Sequence, residues 1–266
     1  MNCSLVAVDI GNTAVKVGWF TPTSASLTPL PLPTSAVEWP TDEAEARLAS
    51  DRFPSASTPW FVTSVNRPAL ERLMAWRDRR RADDPVRLLS YRDVPLKLEV
   101  DHPERVGMDR LATAVAANAL RDPRRPALVV DAGTALKVHA VTVDSAFVGG
   151  AILPGFQMAS RALHRNTDLL PDVRVTTNMA PPVALGRNTE AAIRSGLYWG
   201  AVGAVRELIQ RMRAELGADP QIFITGGDAG GLSALVDHDT QFVPHLCLSG
   251  VALLANHLHS RESAAS

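Results

Sequence analysis

The pattern of apolar and polar positions predicts two hairpins whose first strands each run into an aspartate. Residues 5–8 are apolar and lead into Asp9, and a second apolar segment follows at residues 15–20. Residues 127–130 lead in the same way into Asp131, before an alternation of apolar and polar residues resumes. Short apolar runs bounded by turn residues are typical of buried strands. Each hairpin is therefore expected to carry a carboxylate at the end of its first strand.

The turns after both aspartates contain a glycine and a hydroxyl side chain. Gly11 and Thr13 follow the first aspartate, and Gly133 and Thr134 follow the second. A glycine lets backbone amides approach a ligand closely, and a hydroxyl adds a donor beside them, which together suit a polyphosphate with its divalent metal. One Asp-x-Gly segment has little diagnostic value. Two copies 122 positions apart (131 − 9) favour a duplicated chain of two domains.

The same pattern analysis places the remaining elements. Helices are predicted at residues 42–49, 69–81, 103–120, 156–163, 189–216 and 246–258, and strands at 60–65, 86–90 and 221–224. Residues 21–58 and 166–182 otherwise lack a regular pattern, and the Gly-Gly and Pro-Gly pairs within 149–155 predict a turn around a short apolar segment. Residues 121–126 have the composition of a linker. We therefore expect domains at residues 1–121 and 122–266.

The order of elements in both halves indicates a fold class. Strands precede helices in each half, and an Asp-Gly turn follows each first strand, which fits an α/β fold of two ribonuclease H-like domains. Actin, sugar kinases and heat-shock chaperones share this architecture. In such a chain a nucleotide would lie in the interdomain cleft, with both Asp-Gly turns facing it.

Composition narrows the choice of partners. The 266 residues carry a formal net charge of −1, so no global field attracts nucleic acid or an anionic membrane. No run approaches the roughly 20 apolar residues that span a bilayer, and Met1-Asn2-Cys3 leads into a strand without the features of a signal peptide. Cys3 and Cys247 lack metal-ligand spacing. We expect a cytoplasmic protein with no nucleic-acid or membrane partner.

Several motifs in one order carry a resemblance to a known family. They are Asp9-Ile-Gly-Asn-Thr13, Gly107-Met-Asp-Arg110, Asp131-Ala-Gly-Thr-Ala135, Gly149-Gly-Ala-Ile-Leu-Pro-Gly155, Leu170-Pro171, Gly186-Arg-Asn-Thr189 with Ser195-Gly196, and Thr225-Gly-Gly227. With these motifs the chain resembles the type III pantothenate kinases over nearly its whole length, least so between residues 21 and 100. That family belongs to the superfamily of actin and the sugar kinases, and its members phosphorylate pantothenate in coenzyme A synthesis.

The resemblance implies an ATP site with Mg²⁺ and a pantothenate site. ATP would contact Asp9, Ile10, Gly11, Asn12, Thr13, Ala14, Val15, Lys16, Thr134, Gly226 and Gly227, with Asp9 near Mg²⁺. Pantothenate would contact Gly107, Met108, Asp109, Arg110 and Thr189. Asp109 would accept the proton of the pantothenate hydroxyl, and Thr189 would reach the substrate from the partner subunit of a homodimer. Asp131 would bind a monovalent cation, K⁺ or NH₄⁺.

Several of these residues also have a purely structural explanation. A carboxylate at a strand end, such as Asp9, can cap a turn, and one in a first helical turn, such as Asp109, can interact with the helix dipole. Arg110 can form a fork with the pantothenate carboxylate or pair with Asp109. Thr189 can belong to the helix cap together with Asn188.

The chain departs from the family pattern beside Asp131, where Leu136, Lys137 and His139 replace threonines and an aspartate. One hypothesis is that the Lys137 ammonium supplies the positive charge in place of K⁺. The alternative is that Lys137 points to solvent on an edge strand. A second departure is Val100, which stands about where the family often has a tyrosine, so one wall of the pantothenate pocket is expected to differ.

The sequence thus predicts an ATP-dependent kinase that phosphorylates pantothenate to 4'-phosphopantothenate, the first step of coenzyme A biosynthesis. One alternative is a kinase of another small polar alcohol, for which Val100 leaves room. The other is a catalytically inactive nucleotide-binding regulatory protein. The presence of Asp9, Asp109, Arg110, Asp131 and Thr134 argues against inactivity, because a protein without catalysis has no chemical need for both acidic groups.

Overall fold

The computed structural model describes residues 4–21, 30–43, 57–177, 180–236 and 239–265. The chain divides into two compact units, the first made of Met1–Leu120 and His245–Ser266 and the second of Arg121–Pro244. This division lies one residue from the boundary predicted after residue 121. The C-terminal segment was predicted to belong to the second domain, but in the structure it belongs to the first unit. Its helix packs there against the helix that begins at Met108.

The elements of the described residues are as follows. The strands are β1 (Leu5–Ile10), β2 (Ala14–Phe20), β3 (Ser35–Pro40), β4 (Trp60–Ser64), β5 (Val86–Leu88), β6 (Lys97–Leu98), β7 (Ala127–Ala132), β8 (Ala135–Val141), β9 (Ala146–Pro154), β10 (Gln221–Thr225) and β11 (Thr240–Phe242). The helices are α1 (Arg67–Arg80), α2 (Met108–Leu120), α3 (Phe156–Arg165), α4 (Thr189–Leu216), α5 (Ser233–Val236) and α6 (Leu246–Ala265). None of these helices is long and apolar enough to cross a membrane. The helix predicted at residues 42–49 falls largely outside the described residues.

The two units contain sheets of the same topology. In the first, the strand order is β3-β2-β1-β4-β5, and β1 pairs antiparallel with β2 and parallel with β4. In the second, the strands run in the order β9-β8-β7-β10-β11, and β7 pairs antiparallel with β8 and parallel with β10. In each sheet the central strand therefore pairs on one side with the antiparallel strand that follows it and on the other side with a parallel strand. The predicted α/β fold with two ribonuclease H-like sheets is confirmed.

The central strand of each sheet is buried, which explains why the sequence pattern identified it. All six residues of β1 are buried, as are residues 127–130 of β7. A strand covered on both faces has a nearly continuous apolar run instead of an alternating one. The aspartates stand at the ends of these two runs, where each chain segment leaves the core and enters a turn.

Several predicted elements have different bounds in the structure, and two of these differences have a clear local cause. The helix predicted from residue 103 begins at Met108, because Pro103–Arg105 forms a separate 3₁₀ turn before it. The turn predicted within residues 149–155 is instead part of the continuous strand β9. Gly149 and Gly150 have φ angles of 92° and 151° there, and they accompany a register shift between β8 and β9. Glycine adopts such angles without the steric cost that other residues meet.

Strand β3 was not predicted at all. Its residues Ser35–Pro40 are exposed or half-buried, so no continuous apolar run marks them. Among the strands of the described residues, it lies at the edge of the first sheet and pairs with β2 alone. Edge strands have weak hydrophobic patterns because much of their surface faces water.

Helix α2 is held in place by a close contact with the C-terminal helix α6. A β-carbon at Gly250 of α6 would overlap the carbonyl oxygen of Ala112 in α2. A smaller distance between helix axes is possible only where the side chains at the contact are small. Helix α6 also packs against β1 and β2 of the same sheet. The C-terminal helix therefore connects the helix that carries Asp109 to the strands that carry Asp9 and Lys16.

We expect Gly250→Ala to destabilise the protein by about 1–3 kcal/mol, because the added methyl group overpacks a contact with backbone atoms. The measurement is the free energy of unfolding from urea titration. Gly203→Ala is the matched control, since Gly203 lies in helix α4 and the added β-carbon would meet no atom of the described residues within 4 Å beyond the nearby backbone of its own helix. That control should stabilise by up to about 1 kcal/mol through helix propensity. Equal effects of the two substitutions would contradict the close contact.

Candidate active site

The first Asp-Gly turn lies between β1 and β2. Asp9 is 8% exposed, and its Oδ1 accepts a hydrogen bond of 3.3 Å from Thr63 Oγ1 of the parallel strand β4. The Gly11 amide donates to the Ala14 carbonyl at 2.9 Å, which closes the turn. Asn12 and Thr13 at its tip are exposed. The turn therefore presents backbone and side-chain donors to solvent beside a nearly buried carboxylate.

Thr63 is a site residue that sequence reasoning missed. It is fully buried, pairs in register with Asp9 and also donates to the Val8 carbonyl at 3.2 Å. In the sequence it is the first polar residue after the apolar residues 60–62 of β4, and Ser64 follows it. A buried hydroxyl needs a hydrogen-bond partner, so its presence there indicates a polar neighbour on the adjacent strand.

Asp109 lies in the first turn of α2, close to the end of β1. A β-carbon at Gly107 would lie 2.5 Å from Asp109 Oδ1 and 3.4 Å from a methyl group of Val65. The Val65 amide in turn donates to the Ile10 carbonyl at 3.0 Å. This chain of contacts brings Asp109 to the same end of β1 as Asp9, although 100 positions separate them (109 − 9).

The neighbours of Asp109 differ in exposure. Met108 is buried, whereas Asp109 and Arg110 are half-buried. Burial lowers the pKa of the Arg110 guanidinium, and the adjacent Asp109 carboxylate opposes that shift. Arginine nevertheless stays protonated in proteins, so the site keeps a fixed positive charge next to this carboxylate.

The second Asp-Gly turn lies between β7 and β8, at the start of a helix. The Gly133 amide donates to the Ala135 carbonyl at 3.2 Å, and the Gly155 amide donates to the Thr134 carbonyl at 3.2 Å. Gly155 is the N-cap residue of α3, and a β-carbon on it would overlap the carbonyl oxygens of Gly133 and Thr134. The free amides and dipole of a helix N-terminus favour anions. Sequence reasoning placed Gly155 in a turn but did not predict this contact.

The strand β10 ends in a glycine turn that packs on the same region. Gly226 has a φ of 104°, and a β-carbon on it would overlap the backbone of Ala132. The Asp228 amide donates to the Ala132 carbonyl at 3.0 Å. Gly226 and the exposed Gly227 therefore lie beside Ala132, which precedes the turn that contains Thr134.

Asp228 is a half-buried carboxylate to which the sequence analysis gave no role. Burial raises the pKa of Asp228, while hydrogen bonds from the backbone and side chain of Thr177 act against that rise. Thr177 is buried and donates through Oγ1 to the Asp228 carbonyl at 2.7 Å. No sequence signal distinguishes Asp228 from an ordinary turn aspartate, because its burial depends on a segment 51 residues away.

Asp131 forms an ion pair with Lys137. Asp131 Oδ2 lies 2.6 Å from Lys137 Nζ, and each side chain is only 14% exposed. Lys137 belongs to β8, which lies between β7 and β9, so the alternative of a solvent-facing lysine on an edge strand is wrong. The carboxylate predicted to bind a monovalent cation already holds an ammonium group. The residues present therefore do not fit a K⁺ site at Asp131.

The carboxylates of the described residues suit Mg²⁺ only if a substrate supplies further oxygen ligands. Among the described residues, no group of three or more His, Cys, Asp or Glu side chains is placed to hold a metal ion. Mg²⁺ is commonly held by one or two carboxylates together with substrate phosphates and water. The single carboxylate of Asp9, beside an exposed glycine turn, fits that mode of binding.

Thr189 is the first residue of α4 and is exposed. The predicted helix cap is confirmed, since Asn188 Oδ1 accepts a hydrogen bond of 2.8 Å from the Ala191 amide. The nearby side chains of Val183 and Leu185 are 73% and 86% exposed. The structure thus places Thr189 in an exposed segment that also carries uncovered apolar side chains.

The structure brings the predicted residues together in two groups. In the first unit, Asp9 to Lys16 and Gly107 to Arg110 lie around the end of β1. In the second unit, Asp131, Thr134, Gly226 and Gly227 lie around the end of β7. Each group lies at the end of a central strand, at matching positions in two sheets of the same topology.

Comparison with known proteins identifies relatives over most of the chain. The sequence model of a family described as type III pantothenate kinase matches residues 5–211. A type III pantothenate kinase of Rhodopirellula baltica is 34% identical over 275 aligned residues, which cover 96% of this chain and 98% of the relative. One from Gluconobacter oxydans is 40% identical over 157 residues, covering 59% of this chain and 56% of the relative.

Comparison with solved structures supports the fold. A Sinorhizobium meliloti protein provisionally described as a 2-dehydro-3-deoxygalactonokinase superimposes with a TM-score of 0.58. The alignment covers 95% of this chain and 96% of that protein, at 15% sequence identity. At this identity the similarity concerns the fold alone, which is the two-sheet α/β architecture described above.

The raised pKa of Asp228 predicts a pH-dependent contribution to stability. Between the ordinary aspartate pKa of about 3.9 and the raised value, the folded state binds more protons than the unfolded state, so stability falls as pH rises. We therefore expect Asp228→Asn to raise the melting temperature at neutral pH and to have little effect near pH 3. The measurement is thermal unfolding of both proteins across this pH range.

Asp168→Asn is the control for that experiment, because Asp168 is an exposed aspartate of the same unit. It removes the same charge without removing a half-buried carboxylate. A stabilisation at neutral pH that is equally large for both variants would reflect net charge and not the burial of Asp228.

Proposed function

The chain belongs to the type III pantothenate kinase family, and from this premise we propose that it transfers the γ-phosphoryl group of ATP to pantothenate. The attacking group is the primary hydroxyl of pantothenate, and the products are 4'-phosphopantothenate and ADP. This reaction is the first step of coenzyme A biosynthesis. The observation that carries the proposal is the position of Asp9 and Asp109 at one end of β1.

Phosphoryl transfer requires little covalent chemistry from the protein itself. It requires phosphates whose charge is neutralised, a hydroxyl held in line with the γ-phosphorus, and a group that accepts the hydroxyl proton. Two carboxylates at one end of a strand can divide these tasks. One supports the metal and the phosphates, and the other receives the proton.

We assign the phosphate and metal role to Asp9 and the turn that follows it. The exposed tip at Asn12 and Thr13 offers amide and hydroxyl donors to phosphate oxygens, and Lys16 lies across the hairpin from Asp9. Mg²⁺, when bound, neutralises the charge that develops on the transferring phosphoryl group. Thr63 would orient the Asp9 carboxylate through its 3.3 Å hydrogen bond.

We assign the proton-accepting role to Asp109. As the pantothenate oxygen attacks the γ-phosphorus, the bond between that phosphorus and the β–γ bridging oxygen breaks, and the hydroxyl proton passes to the Asp109 carboxylate. The absence of a side chain at Gly107 leaves room for this carboxylate at the start of the helix. Arg110 next to it supplies a planar guanidinium, which suits the carboxylate of pantothenate.

The second unit offers donors for the rest of the nucleotide. Gly155 places the N-terminus of α3 at the turn that contains Thr134, a suitable position for further phosphate contacts. Gly226 and Gly227 have no side chains, so an adenosine could approach the backbone of their turn closely. We therefore assign these contacts of the second unit to the phosphates and the adenosine of ATP.

The family's dimeric state suggests a role for the exposed segment before α4. We propose a homodimer in which Thr189 contacts pantothenate bound to the partner subunit. The uncovered side chains of Val183 and Leu185 support the proposal, because apolar side chains exposed together commonly mark an interface.

The kinase assignment is tested by an assay that couples ADP formation to NADH oxidation, with ATP and pantothenate as substrates. We expect Asp109→Asn to lower kcat by about 10²–10⁴-fold, the usual contribution of a positioned general base, with little change in the KM for ATP. Asp101→Asn, at an exposed aspartate shortly before α2, is the control and should retain wild-type kcat.

Other outcomes of this assay would redirect the assignment. Undiminished turnover by Asp109→Asn would remove Asp109 from the proton-accepting role. ATP binding without turnover by the wild type would favour a regulatory protein. Turnover with another small alcohol but not with pantothenate would favour the second kinase alternative, in which the half-buried Val100 widens the pocket.

The homodimer is tested by sedimentation equilibrium, which should give about twice the chain mass of 28.5 kDa. We expect Leu185→Glu to shift the protein towards monomer and to raise the KM for pantothenate, because a charge in an apolar interface is costly. Leu169→Glu is the control, at a side chain that is also 86% exposed but lies further from α4 along the chain. A wild-type monomer with full activity would contradict the dimer.

A further inference from the structure

Lysine is rare in this chain, and two lysines occupy equivalent positions. The sequence contains three lysines, Lys16, Lys97 and Lys137, among 27 lysines and arginines. Lys16 pairs in register with Asp9 across the first hairpin, and Lys137 pairs in register with Asp131 across the second. Both Asp-Gly turns therefore have a lysine opposite their aspartate, on the strand that returns from the turn.

The Lys137 ammonium is held firmly at the second of these positions. It lies 2.6 Å from Asp131 Oδ2, and 86% of each side chain's surface is covered (100 − 14). Side chains buried to this extent stay ionised only when they are paired with an opposite charge. Strand β8 lies between two other strands of its sheet, and with 14% of its side chain exposed Lys137 does not face solvent as a lysine on an edge strand could.

This pair conflicts with the monovalent cation that the family resemblance implies at Asp131. A K⁺ ion requires oxygen ligands, and the carboxylate that would be the principal ligand is engaged by an ammonium group of the same charge. A second cation at the same oxygen would repel the first. The next residue towards the turn is Leu136, which is buried and adds no side-chain oxygen.

We infer that the Lys137 ammonium permanently supplies the positive charge at Asp131, so that this enzyme needs no K⁺ or NH₄⁺. The inference rests on the proposed kinase function. An ammonium group resembles K⁺ in being a compact single charge, but it is attached to the chain and does not dissociate. The second hairpin therefore has its cation present before any nucleotide binds.

The first test is the dependence of the wild-type rate on K⁺. Phosphorylation of pantothenate is measured in choline chloride, with KCl, NH₄Cl or NaCl substituted at constant ionic strength. Because ionic strength is constant, screening does not change, and we expect the rate to vary by less than about twofold. Activation by K⁺ or NH₄⁺ of about tenfold or more, with no effect of Na⁺, would overturn the inference.

The second test removes the attached ammonium. In Lys137→Met the side chain keeps a similar length but loses its charge, and the Asp131 carboxylate is left without its ion-pair partner. We expect this variant to have a low rate in choline chloride and to recover at least about tenfold in K⁺ or NH₄⁺, which can enter the place of the ammonium. Lys97→Met is the matched control, because the Lys97 side chain is 71% exposed and the substitution should leave the rate independent of K⁺.

A third measurement does not depend on activity. A cation that binds only the folded protein raises its melting temperature. We expect KCl, compared with NaCl at equal concentration, to raise the melting temperature of Lys137→Met but not that of the wild type or of Lys97→Met. A folded Lys137→Met that responds to K⁺ neither in rate nor in melting temperature would overturn the inference.

These measurements separate the two hypotheses. If the wild type turns over pantothenate under no salt condition, the proposed function fails, while the melting temperatures still report whether K⁺ binds. A specific rise in the wild-type melting temperature with K⁺ would then overturn the inference about Lys137 independently. If Lys137→Met does not fold, the wild-type rate and melting temperature decide the question without it.

Discussion

A carboxylate at the end of a buried strand must be satisfied by partners on the neighbouring strands, and the functional geometry of this protein depends on that constraint. Asp9 accepts a hydrogen bond from Thr63 of β4, and Asp131 pairs with Lys137 of β8. Burial of an ionised carboxylate without such partners is costly. Because the partners are in register within a sheet, each turn that follows an aspartate starts from a fixed position.

The duplicated topology places different chemical groups at equivalent positions of the two halves. Each sheet has a central strand, an antiparallel return strand and a parallel neighbour. In the first unit, the contact between Gly250 and Ala112 brings α2 and Asp109 against this arrangement. In the second, Gly155 and Gly226 bring a helix N-terminus and a glycine turn to the corresponding turn. The same strand order thus positions the Asp109 carboxylate in one half and a helix N-terminus with a glycine turn in the other.

Sequence patterns identified the structural features that arise from residues close together in the chain. The apolar runs before Asp9 and Asp131, the Asn188 cap and the long helix α4 were predictable because neighbours in sequence produce them. The positions of Thr63 and Asp228 in the folded chain could not be predicted, since they depend on partners 54 and 51 positions away. Strand β3 escaped prediction because an edge strand lacks a continuous apolar run.

The sequence by itself determined the family, the duplicated Asp-Gly turns and the set of side chains available for phosphoryl transfer, because these depend on residue identity and order. Tertiary structure decided which of those side chains meet. It placed the C-terminal helix in the first unit, set Asp109 near the end of β1 and closed an ion pair between Asp131 and Lys137. Burial and register are properties of packed strands, so whether a lysine faces water or a carboxylate follows only from the folded sheet.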